Sequence, residues 1–114
     1  MTDRELLEAA AKAAGIEWYG YAGDDECECR YFDIGEEDVV RWNPLTDDGD
    51  ALRLAVALRI EIRKYGTVWE VVRYGVSSAH RVLDVKPPAD DSTEALLAAH
   101  RRAIVRAAAT QSAA

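Results

Sequence analysis

With 114 residues, 49% of them hydrophobic and 31% charged, the chain has enough apolar material for one packed domain and lies outside the composition of a disordered segment. A net charge of −7 argues against a protein that holds long nucleic acid, because phosphate neutralisation supplies most nonspecific affinity. Residues 1–15 are acids and alanines where a secretory signal has a basic start and an apolar centre, and no apolar run approaches the roughly 18 residues of a membrane span, so a cytoplasmic protein is expected.

Thr2 followed by Glu5 is a capping-box pattern, and Leu6, Leu7, Ala10, Ala11 and Ala14 share one helical face, so a first helix is expected, ended by Gly15. Residues 16–21 and 26–33 read as strands joined by a turn at 22–25. In the second of them Cys27, Cys29 and Tyr31 alternate with Glu26, Glu28 and Arg30, giving one dry face and one wet. The two cysteines point to the same face two residues apart, a geometry that disfavours a mutual disulfide. A short strand at 39–42 precedes Asn43-Pro44, and a second helix starts near Thr46 or Asp47, where Asp47, Asp48 and Asp50 can cap free amides and complement the helix dipole. That helix is apolar over more than half its circumference, leaving mainly Arg53 and Ala57 outside, which predicts deep burial or a partner such as a second copy.

Strands follow at 60–65 and 67–76 around Gly66, the latter with Trp69 and Val71 on one face, Val68, Val72 and Tyr74 on the other, and a central place in the sheet. A further strand at 80–85 ends before Lys86-Pro87-Pro88, and Asp91 or Ser92 caps a last helix reaching about Ala109, with a frayed tail from about 110. Short connections favour antiparallel strands. The fold class expected for this single domain, 1–114, is α/β in the α+β sense: a three-layer helix/sheet/helix sandwich with a mainly antiparallel sheet.

The run Trp42-Asn43-Pro44-Leu45-Thr46-Asp47-Asp48-Gly49-Asp50-Ala51-Leu52-Arg53-Leu54-Ala55-Val56 resembles the signature of small phage and prophage proteins, the phage ABA sandwich domain family. The carboxyl-terminal Thr93-Glu94-Ala95 and Arg102-Ala103-Ile104-Val105-Arg106-Ala107-Ala108-Ala109 resembles that family's last helix. The resemblance implies a helix/sheet/helix sandwich of phage or prophage origin, acting in the host cytoplasm. It implies no activity, because the family carries none that can be transferred.

Charge is unevenly spread: eleven acids against Arg30 and Arg41 give −9 from Asp24 to Asp50, whereas ten bases against six acids give +4 from 51 to 114. Asp24, Asp25, Glu26, Glu28, Glu36, Glu37 and Asp38 are therefore candidate contacts for a basic protein partner. Arg73, His100, Arg101, Arg102 and Arg106 are the alternative set, a basic surface for a small ligand such as a nucleotide signal, with aromatic residues for stacking. Asp47, Asp48 and Asp50 could chelate a hard cation, but capping accounts for them more simply. Cys27, Cys29, His80 and His100 match no zinc spacing, Ser77-Ser78 near His80 declares no nucleophile geometry, and the glycines are too scattered for a phosphate loop. No metal and no cofactor are expected. The expected function is a non-enzymatic phage accessory protein binding a host or defence-system protein, in the manner of a counter-defence factor, through its acidic segment; the alternative is a small-ligand binding or sequestering protein.

Overall fold

The computed structural model describes residues 2–16, 29–32, 39–75 and 79–112. At the amino end the Thr2 hydroxyl accepts the Glu5 amide at 3.2 Å and starts α1 (Asp3–Ala13), which buries Leu6, Leu7, Ala10 and Ala11 along one face. Gly15 follows with φ 73, a conformation glycine adopts without a Cβ penalty. Strands β1 (Cys29–Phe32) and β2 (Val39–Trp42) form a separate antiparallel pair with Cys29 opposite Trp42. The expected strand at 16–21 and its turn at 22–25 lie outside the described residues beyond Ile16, as does Cys27.

Helix α2 (Asp48–Leu58) is capped by Asp47, whose carboxylate accepts the Asp50 amide at 2.8 Å. Ala51, Leu54, Ala55 and Leu58 face the core. Deep burial, the first of the two alternatives expected for α2, does not hold at two positions: Leu52 is 65% exposed and Val56 69%. They stand one turn apart on the same outer strip as Arg53, so α2 presents a single stripe to the core, as an ordinary amphipathic helix does.

Strands β3 (Ile60–Tyr65), β4 (Val68–Tyr74) and β5 (Ala79–Val85) form an antiparallel meander with β4 in the centre, as its sequence predicted. Gly66, at φ 54, begins the two-residue turn between Tyr65 and Val68. Register shifts between Val71 and Val72: Val71 lies opposite Leu83 and Val72 opposite Arg81, so Val82 is an extra residue on β5. Val82 and Leu83 both pack toward the core as a result. Arg81 is thereby turned to the same outer face as Asp84, with which it forms a 3.4 Å ion pair.

The final helix α3 (Thr93–Ser112) begins where the Ser92 hydroxyl accepts the Ala95 amide at 3.3 Å. It crosses β3, β4 and β5 and packs along α1 and α2. It runs to Ser112, beyond the expected helix end near Ala109, and Ala107, Ala108 and Ala109 are buried in the core. The alanine-rich sequence reads as a weakly anchored tail only when the matching small residues Ala10 and Ala11 of α1 are left out of account; together they allow close helix approach. The core joins Leu7, Trp42, Leu54, Leu58, Ile60, Val71 and Val105. The α+β class and the antiparallel sheet are as expected. The Val71 face packs on the helices; the opposite face carries Tyr65, Val68 and Tyr74, each at least 40% exposed, toward its ends and Val72, 1% exposed, at its centre, and among the described residues no helix forms a third layer there. No helix of the described residues is long and apolar enough to cross a membrane.

Candidate functional site

Three sequence features meet at the end of the sheet where α2 gives way to β3. The first is Arg59, which terminates α2 in the left-handed conformation, φ 58 and ψ 44, with its amide turned back to Val56. Where a helix ends in this conformation the residue is usually glycine, because a Cβ there costs about 1–2 kcal/mol. Arg59 also accepts the Tyr74 amide at 3.1 Å through its carbonyl oxygen, which ties the helix end to the end of β4. The second is the register of the sheet, which sets Arg73 beside Ile60 on one side and His80 on the other. The third is Tyr74, 42% exposed, with Gly75 after it.

Arg59, Arg73, Tyr74, Gly75 and His80 line an open pocket of about 330 Å³. Among the described residues no carboxylate lines it and neither arginine forms an ion pair with an acid. Arginine offers five N–H donors in a planar fork, a geometry suited to phosphate or carboxylate oxygens, and an adjacent tyrosine ring adds a stacking or hydrogen-bonding surface. Such a pocket can hold a small anion. Among the described residues that line it no serine, cysteine or carboxylate stands beside His80, and among the described residues of the whole chain no cluster of metal-ligating side chains occurs.

Of the basic set read from sequence, Arg73 alone lines this pocket. His100 packs its ring on Trp69, centroids 4.6 Å apart, and its Nδ1 donates to the Leu96 carbonyl at 2.6 Å. Arg101 has structural partners: its Nε donates to the Leu45 carbonyl at 2.8 Å and its Nη1 to Asp48 at 2.7 Å, fastening α3 to the start of α2. Arg102 pairs with Asp3 of α1 at 2.8 Å, and Arg106 is exposed. Periodicity placed these four on α3 but could not show that two of them serve as ties between helices. Arg59 and His80 line the pocket but were not in that basic set; a positively charged residue at a helix end where glycine is usual was the available signal for Arg59.

The aspartate group also has structural partners. Asp47 caps α2, Asp48 meets Arg101, and buried Asp50 accepts the Asn43 amide at 2.9 Å and the Arg53 guanidinium at 2.6 Å. Trp42 and Trp69 are core residues. The acidic candidates Asp24, Asp25, Glu26, Glu28, Glu36, Glu37 and Asp38 lie outside the described residues, as do Trp18, Ser77 and Ser78. A second pocket, of about 210 Å³, lies among Ala14, Ile16, Trp42, Arg53, Leu54 and Ala57. Comparison with known proteins found no matching family model, no matching curated protein and no matching solved structure.

Proposed function

We propose that this chain is a non-enzymatic binding domain that takes a small phosphorylated ligand, of the size of a nucleotide signal, between Arg59 and Arg73. The observation that carries this reading is two arginines lining one pocket of about 330 Å³ that, among the described residues, no carboxylate lines. Charge-assisted hydrogen bonds from the two guanidinium groups would hold the phosphate, and Tyr74 would meet the attached base. Holding such a molecule without transforming it is sequestration. Calorimetry against linear and cyclic nucleotides, with inorganic phosphate alongside, tests this. Arg73→Ala is expected to weaken binding on the order of 10- to 150-fold, the effect of losing a hydrogen bond to a charged group. Absence of both heat and a thermal shift with every nucleotide would sink the reading.

A second reading rests on a separate observation, the charge of −9 between Asp24 and Asp50. It makes the chain a phage or prophage accessory protein that engages a basic host or defence protein through that acidic segment. Reversing Glu26, Glu28, Glu36 and Glu37 to lysine is expected to abolish capture of such a partner while leaving the far-ultraviolet circular dichroism unchanged. Capture that survives the reversal would refute it.

A further inference from the structure

Charge at the pocket lined by Arg59 and Arg73 can be counted from the elements that form it. Arg59 is the carboxyl-terminal cap of α2 and Arg73 lies near the end of β4, and both are exposed. The backbone bond of 3.1 Å from the Tyr74 amide to the Arg59 carbonyl anchors the two arginines to the same joint between helix and sheet. Against their two positive charges stands the carbonyl-rich end of α2, worth about half a negative charge. Among the described residues no carboxylate lines the pocket. The surplus is about one and a half positive charges, before any that the imidazole of His80, opposite Arg73 on β5, adds.

We infer, resting on the reading of this pocket as a phosphate site, that the phosphate it takes is terminal: a phosphomonoester, such as a nucleoside monophosphate, in preference to a phosphodiester, such as a cyclic nucleotide or an internal link of a nucleic acid. A monoester carries about −1.5 to −2 at neutral pH and presents three acceptor oxygens, which matches the surplus. A diester has a single charge and one fewer free oxygen. Each guanidinium is a planar fork whose parallel N–H bonds suit a pair of oxygens. Two forks can share the oxygens of a monoester, one oxygen taking a bond from each. On a diester they compete for the same pair, and part of the positive charge stays unmatched in the complex. The charge of the whole chain acts in the same direction. An internal phosphate brings its neighbours toward a protein of net charge −7, whereas a terminal phosphate brings no second one.

Titration calorimetry on nucleotides that share base and sugar isolates the phosphate: adenosine monophosphate against cyclic adenosine monophosphate, and the corresponding guanosine pair. In each pair that binds, the monoester is expected to be tighter on the order of 10- to 150-fold, the effect of a further hydrogen bond to a charged group. Arg59→Gln, which keeps a side chain at the left-handed position, and Arg73→Gln are each expected to weaken the monoester more than the cyclic nucleotide and so to shrink that ratio. Arg106→Gln removes the same charge from the exposed side of α3, outside the pocket lining, and is expected to leave the ratio unchanged. A cyclic nucleotide that binds as tightly as its monoester, or more tightly, overturns the inference while leaving the pocket a phosphate site. So does a ratio that survives both pocket changes, or one that falls equally with Arg106→Gln. Silence from both pairs also overturns it, and the phosphate site itself is lost as well if inorganic phosphate gives no heat.

Discussion

Replacing Arg59 by glycine separates stability from binding, because the two effects have opposite signs. In the folded chain Arg59 holds φ 58 and ψ 44, where a residue with a Cβ is about 1–2 kcal/mol worse off than glycine. Glycine gives back about 0.5–1 kcal/mol through the greater freedom of the unfolded chain. The net expectation for Arg59→Gly is a gain of about 0.5–1 kcal/mol, read as a rise of about 2–6 °C in Tm. The Tyr74 amide keeps its acceptor, since that is the backbone carbonyl of residue 59. Phosphorylated ligand, by contrast, loses one of its two guanidinium forks and is expected to bind on the order of 10- to 150-fold more weakly. Differential scanning calorimetry and titration calorimetry on the same preparation give both numbers. A variant that melts lower than the native chain would refute the backbone reasoning. A variant that melts higher and binds nucleotide as tightly as before would remove Arg59 from the site.

Asp50→Ala leaves the Asn43 amide without its acceptor inside the fold and is expected to destabilise the chain by about 2 kcal/mol in a urea titration, with most of the loss arising from that amide rather than from exposed Arg53. Leu7→Ala, at a side chain fully enclosed between α1 and α3, is expected to cost about 2–5 kcal/mol by the same measurement. Gly66→Ala is expected to cost about 1 kcal/mol although nothing lies within 4 Å of the added carbon, because the turn holds φ at 54. Leu52→Lys should change stability by no more than about 0.5 kcal/mol, since that side chain already faces water.

Local signals were the most legible part of the fold. Thr2, Asp47 and Ser92 each mark a helix start because a short polar side chain reaches an amide two or three residues on, a relation contained in a few residues of sequence. The central place of β4 followed from apolar residues on both its faces, and Gly66 marked the turn before it. What alternation could not supply was the bulge: nothing in Ala79–Val85 distinguishes Val82 from its neighbours, and the extra residue is defined only by how Val71 and Val72 pair with the strand beside them. How deeply α2 sits could not be read for a related reason. Hydrophobic residues cover more than half of its circumference, but the space between α3 and β3 admits only the Leu54 and Leu58 side, leaving Leu52 and Val56 in water. The pocket was half legible, through Arg73; Arg59 joins it across a backbone hydrogen bond that spans fifteen positions, and His80 by cross-strand pairing.

The pairing of α1 with α3 has a consequence for how the chain is made. Asp3 and Arg102 meet across 99 positions, and Leu6, Leu7, Ala10 and Ala11 find their cover largely on the last helix. A ribosome adding about 5–20 residues per second delivers that cover some 5–20 seconds after α1 has emerged. During that interval the β3–β4–β5 meander, whose contacts are close in sequence, can already pair, while the apolar face of α1 remains a surface for a chaperone to hold.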